Sequence, residues 1–266
     1  MWPASHWRLL LPMLLVAAGT GCVSVPPYRA HPDLLREKPA IRTVGVLPPK
    51  IAMFEERARF GLNATVAHEE WSRAAEEAVA DAFADEMAAD GIAMVPIGVA
   101  DDPEAEEIAE LSAAVDFSIL RHAFEKNSGE VLFREPFDEQ LRAFGYSIGS
   151  AADLMDRHRV DAVWIVRGFN LLPTAGARAK HGADITLAIL GALGGVAVPV
   201  LDLQKIQLRV TLIDRSGTVL YYGLADGRAG KPEAEDEYVA VDLRDARAAR
   251  HYLRAALADY RAQGPP

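Results

Sequence analysis

Cysteine is almost absent: Cys22 is the only one in 266 residues. That excludes an intramolecular disulfide, which needs two thiols, and a thiolate-rich metal site, which needs several. Positive charge is in deficit as well, with 28 Lys and Arg against 38 Asp and Glu, a formal net charge of −10. A chain of that balance is poorly suited to non-specific nucleic-acid binding, which relies on cations neutralising phosphates, so no nucleic-acid partner is expected. Long uninterrupted apolar runs are scarce, yet half of the residues are hydrophobic. This is enough to build a core and too much for wholesale disorder.

The amino terminus carries the first informative pattern. His6 and Arg8 lie in a short polar start, and Leu9–Leu11 and Met13–Ala18 form an apolar stretch. Gly19–Thr20–Gly21 then place small side chains before Cys22, where a peptidase must hold extended backbone. Pro12, Gly19 and Gly21 break the stretch too early for a comfortable membrane span. The arrangement resembles a bacterial lipoprotein lipobox, with Gly19 where a branched aliphatic is more usual. The resemblance implies that residues 1–21 are a lipoprotein signal peptide and that Cys22 becomes the acylated first residue of the mature chain. Each buried methylene of such chains contributes about 0.8 kcal/mol, so several chains give stable attachment. Val23 follows Cys22 where an Asp would resemble an inner-membrane retention signal. The expected location is therefore the periplasmic side of an outer membrane, or the cell membrane in a host with only one. Residues 22–40, with Pro26, Pro27, Pro32 and Pro39 among charges, read as a flexible tether.

From residue 41 the pattern is that of a folded domain. Strands are expected over 41–47, ending at Pro48–Pro49, and over 93–98. Between them Trp71, Ala75, Val79, Phe83 and Met87 recur every fourth residue, which predicts a helix over 68–90 stopped by Gly91. Asp102 before Pro103, with Glu104, Glu106 and Glu107 in the next turn, starts a helix over 103–116. A short helix over 151–159 leads into the run Ala162–Val166, a central strand. Residues 205–214 alternate apolar and polar, Arg215–Ser216–Gly217 is a turn, and 218–222 returns antiparallel. A terminal helix over 243–260, capped by Asp242, ends the chain. Together these elements predict one α/β domain over 41–266, two- or three-layered, with a mixed β-sheet and flanking helices.

Two features exceed this generic plan. The segment 185–201 concentrates Ile185, Leu187, Ile189, Leu190, Leu193, Val196, Val198, Val200 and Leu201 among Gly191, Gly194, Gly195 and Pro199. Three readings stand beside one another: a buried core segment, an apolar loop on a membrane or partner protein, or an oligomerisation hairpin. Glycines and proline weaken a helical span, and a lone broken strand in hydrocarbon would leave backbone groups without partners. On the terminal helix, Arg244, Arg247, Arg250 and Arg254 form a stripe that could meet an acidic partner or simply be solvated.

No motif compels a reaction. His68–Glu69–Glu70 lacks the second histidine of a zinc-protease helix, and Ala225–Pro232 lacks the first glycine and the final hydroxyl of a phosphate loop. Ser147, Ser150 and Ser216 have no hydrolase elbow around them. No catalytic residue, cofactor or metal ligand is assigned, and no enzyme activity is expected.

Taken together, the lipobox, Val44–Pro49, the helical 71–91, Asp161–Val166 and Leu212–Leu220 resemble a broad group of bacterial envelope lipoproteins. That group includes curli-secretion-channel proteins, penicillin-binding-protein activators and proteins with a TolB-amino-terminal-like domain. The resemblance covers about residues 41–222 and implies an architecture more than an activity. It implies a lipid-anchored scaffold with an envelope protein partner. Alternatively, it implies a homo-oligomeric subunit of a secretion or transport complex that uses 185–201 at a subunit or membrane interface.

Overall fold

In the computed structural model the described residues are 28–59, 62–100, 102–120, 144–177, 179, 205–227 and 242–262. They form a mixed sheet of eight strands between two helical layers. The strands are β1 (Tyr28–Ala30), β2 (Thr43–Val46), β3 (Lys50–Arg59), β4 (Leu62–Ala67), β5 (Ala93–Pro96), β6 (Ala162–Pro173), β7 (Lys205–Ile213) and β8 (Val219–Asp226). The helices are α1 (Leu34–Glu37), α2 (Glu69–Ala89), α3 (Pro103–Ile119), α4 (Ala152–His158) and α5 (Ala246–Ala262).

The long strand β6 organises the sheet. On one side it pairs antiparallel with β7 from Val163↔Ile213 to Leu171↔Lys205, and β7 pairs in turn with β8. On the other side it pairs parallel with β2 over Ala162–Trp164 and with β3 over Arg167–Pro173. The break expected at Pro48–Pro49 is thus local. Prolines cannot donate to a ladder, but the chain resumes beside the same neighbour as β3. Asp161 secures the lower end, where its Oδ2 accepts the amides of Arg42 and Thr43, both at 2.8 Å.

Alternation along the strands sends side chains to two cores. Trp164, Val166, Val210 and Tyr221 enter the first, beneath α2 and α5; Val163, Ile165, Ile213 and Tyr222 enter the second, beneath α3 and α4. Ala75, Val79, Phe83 and Met87 are buried, as the four-residue period predicts. Gly91 adopts φ +72°, a left-handed conformation that glycine reaches without a Cβ penalty, and so ends α2. Strands from the amino-terminal and carboxy-terminal halves of the chain share this one sheet.

Two expectations are corrected, and one hairpin is added to the expected elements. Over 28–40 the tether gives way to structure: β1 pairs antiparallel with β8 from Tyr28↔Gly223 to Ala30↔Tyr221, Leu34 is fully buried, and the Lys38 ammonium lies 4.2 Å from the centre of the Tyr260 ring. Elements this short need few amide donors, so Pro32 and Pro39 do not prevent them. The β3–β4 hairpin was not foreseen, because Lys50–Arg59 is rich in Ala, Met, Glu and Arg, which favour helix in isolation. Asp245, rather than Asp242, caps α5: its Oδ1 accepts the Arg247 amide at 2.7 Å and the Ala248 amide at 3.3 Å.

Candidate interaction surface

Cys22 and the residues Ile185, Leu187, Ile189, Leu190, Leu193, Val196, Val198, Val200 and Leu201 lie outside the described residues. The described strands nevertheless set where the chain leaves the domain towards each. β8 runs in the same direction as β6, with β7 between them, and β1 runs opposite to β8. The chain therefore enters β1 from the end of the sheet marked by Pro173, Lys205 and Asp226. The 174–204 connection joins β6 to β7 at that same end, and the β3–β4 tip, with Arg59 opposite Leu62, extends beyond Pro173. Thr174 begins the connection by donating its amide to the Glu56 carbonyl at 2.9 Å, and its Oγ1 accepts the Ala177 amide at 3.2 Å.

The flank of this end is an aromatic and ionic platform. The rings of His68 and Trp71 stack with centroids 3.9 Å apart, and the Arg244 guanidinium lies 4.3 Å from the Trp71 ring centre. His68 Nε2 is 3.3 Å from Glu55 Oε2, which also pairs with Arg57. The hydrogen bond from Arg57 holds the Glu55 carboxyl below its ordinary range. Asn170, nearly fully buried, accepts the Leu243 amide at 3.0 Å and fixes the approach to α5.

The arginine stripe divides. Arg244 is tied to Asp242, with Nε 2.9 Å from Oδ1, and to Trp71. Arg250 pairs with Asp85, and Arg254 Nε donates to Glu86 Oε1 at 2.8 Å. Arg261, outside the expected stripe, joins them, with Nη1 2.7 Å from Glu86 Oε2 and Nε 2.9 Å from Asp90 Oδ2. The acidic surface met by Arg250 and Arg254 is thus the chain's own α2. Burial opposes the Glu86 charge, but the bonds from Arg261 and Arg254 outweigh it and keep its carboxyl low. Arg247 is exposed, with no side-chain partner among the described residues.

A shallow cleft of about 640 Å³ lies between α3 and α4, lined by Gly98, Asp102, Pro103, Glu104, Arg157 and His158. Its charges already satisfy one another. Asp102 accepts the amides of Glu104 at 3.1 Å and Ala105 at 3.3 Å, Arg157 Nη2 at 2.9 Å, and lies 3.2 Å from His158 Nε2. Burial raises the Asp102 pKa, but the bonds from His158 and Arg157 dominate and lower it. This is a latch between helices, with no nucleophile beside a free base. Farther along α3, Asp116 is buried against Arg209, Oδ2 to Nη1 at 2.6 Å, and accepts the Tyr222 hydroxyl. Burial pushes the Asp116 carboxyl up, partly offset by Arg209, and lifts the Tyr222 phenol well above its usual value. This cluster pins the end of α3 to β7 and β8. Neither it nor the platform was legible in sequence, because each joins residues from distant strands and helices.

Among the described residues no group of three or more His, Cys, Asp or Glu side chains could hold a metal ion, and no helix is long and apolar enough to cross a membrane. No protein-family model, curated protein or solved structure matches this chain.

Proposed function

We propose that this protein is a non-catalytic lipoprotein, held at the periplasmic face of an outer membrane through acylated Cys22, that recruits or scaffolds an envelope assembly. The observation that carries this reading is the pairing of Tyr28 with Gly223, only six residues after Cys22. Six residues span at most about 20 Å, so an anchor at Cys22 holds the domain close against the bilayer rather than at the end of a long spacer. Confinement of that kind raises the effective concentration of the domain towards a membrane partner without strong pairwise contacts. The self-satisfied charges of the cleft between α3 and α4 fit a presenting surface better than a reaction centre.

Cys22→Ala tests the reading directly. The expected result is loss of acyl labelling and release of the folded domain from membranes. Labelling that persists in the variant rejects Cys22 as the attachment residue.

A second reading, a subunit of an oligomeric secretion or transport complex, is favoured by one observation: 174–204 connects two neighbouring antiparallel strands, β6 and β7. It expects detergent-solubilised material to run as a discrete multimer, and a strictly monomeric species across concentrations rejects it.

A further inference from the structure

We propose that Lys50, Arg167 and Arg209 form a binding site for a phosphate dianion, either free or carried as a phosphomonoester. The three cations stand side by side on adjacent strands. Lys50 of β3 is the register partner of Arg167 on β6, and Arg167 is the partner of Arg209 on β7. Register partners share one face of a sheet. Here it is the face under α3, because Arg167 Nη1 donates to the Ala109 carbonyl at 2.9 Å and Arg209 Nη1 lies 2.6 Å from Asp116 Oδ2. Neighbouring strands are about 4.8 Å apart, so the row spans about 10 Å. Like charges placed directly opposite one another destabilise a sheet, and partial burial of Arg167 and Arg209 limits the relief that water gives.

Charge and hydrogen-bond capacity are both left over. Among the described residues Asp116 is the one carboxylate in an ion pair with the row, so three cations against one anion leave two positive charges, which match a phosphate dianion. Asp116 sits at the β7 end, where it also accepts the Tyr222 hydroxyl, and the excess therefore lies towards β6 and β3. Asp226 faces Gln207 on the side away from Lys50, and Glu106 and Glu110, exposed on α3, form no ion pair among the described residues. Arg209 Nε is buried without a hydrogen-bond partner, while Arg167 uses only Nη1, towards Ala109 and Ser112. Lys50 is exposed, with no ion pair among the described residues. Burial lowers the Arg167 pKa; Asp116 opposes that shift and Arg209 adds to it, so an anion beside Arg167 relieves the charge that folding left uncompensated. A guanidinium fork suits phosphate oxygens through parallel bonds, and an ammonium adds a compact point charge. The site does not depend on acylation of Cys22 and gives the presenting surface a ligand.

Calorimetric titration of the detergent-solubilised full chain tests the site, with inorganic phosphate and glycerol 3-phosphate as separate probes at matched ionic strength and sodium chloride as the blank. The expected result is saturable binding of at least one probe. Lys50→Gln, at an exposed position, and Arg167→Lys, which keeps the charge but loses the fork, should each weaken it about tenfold or more. Arg247→Ala, exposed on α5 in the opposite helical layer, should bind as the parent does. Tighter binding of glycerol 3-phosphate assigns the phosphomonoester, and tighter binding of inorganic phosphate assigns the free anion. Absence of saturable binding for both probes overturns the site, as does a folded Lys50→Gln chain, judged by its urea midpoint, that binds as tightly as the parent. An equal loss in Arg247→Ala also overturns it, because attraction would then follow overall charge rather than this row. Cys22→Ala should leave phosphate binding unchanged, so failure of the anchoring reading and failure of this site are read separately.

Discussion

The two faces of the sheet are held by different physics. Beneath α2 and α5, Trp164 is fully buried with edge-on contacts to Phe83, Tyr221 and Tyr260 at centroid distances of 5.8, 6.1 and 5.2 Å. Charge stays at the margin of that core, where Arg250, Arg254 and Arg261 gather on Glu86. Beneath α3 and α4, aliphatic packing around Leu154, Met155 and Ile165 is interrupted by the buried Asp116–Arg209–Tyr222 cluster. The first face therefore draws its stability from area removed from water. The second depends on a polar group keeping its partner, because an unpaired buried charge costs far more than a satisfied one contributes.

Truncation should reveal that contrast most strongly at Trp164. Trp164→Ala is expected to cost about 3–5 kcal/mol in urea unfolding, as large aromatic truncations do. A loss under about 1 kcal/mol would mean that the aromatic cluster is not the main support of this face. Next in size, Asp116→Ala should cost about 2–4 kcal/mol by stranding Arg209, and adding Arg209→Met should recover more than half of the loss. Purely additive losses would deny the coupling. Asp102→Ala, which removes a helix cap and loosens the latch, should cost about 1 kcal/mol. Arg247→Ala should change stability by less than about 0.5 kcal/mol, setting the baseline for an exposed arginine.

Acidification separates the faces by sign. The folded-state pKa of Glu86 is lowered, so its contribution is present above the unfolded pKa and is lost as pH falls through the folded one. The folded-state pKa of Asp116 is raised, so the folded chain binds that proton more tightly, and its contribution falls as pH rises from the unfolded towards the folded pKa. Comparing Glu86→Gln and Asp116→Asn with the parent in urea unfolding from about pH 3 to 7 should therefore remove pH slopes of opposite direction. Slopes of the same direction would show that one of these carboxylates is not held as described.

The elements easiest to anticipate were those whose signal is local. The four-residue recurrence from Trp71 to Met87 marks α2, Asp102 before Pro103 marks the start of α3, and the apolar run 162–166 marks the centre of the sheet. In each, the residues that give the pattern are those that are buried or capped. Local signals marked no element at Lys50–Arg59, where helix-favouring side chains form a strand because β6 offers an open ladder, and misled at Tyr28–Ala30, where neighbouring prolines suggested a spacer but β8 supplied an edge. The arginine stripe was visible as a stripe; that its acidic counterpart for Arg250 and Arg254 lies on α2 was not, because Asp85 and Glu86 are more than 160 residues away in sequence.

Taken alone, the order of residues determined the periodic helices, the capped helix start, the central strand and the α/β class, since each follows from interactions among near neighbours. Only the tertiary structure decided that residues 28–40 belong to the domain, which charges neutralise one another, and that the amino-terminal chain and the 174–204 connection leave from one end of the sheet. Those outcomes depend on strand pairing and burial between distant segments, and no short window of sequence contains both partners.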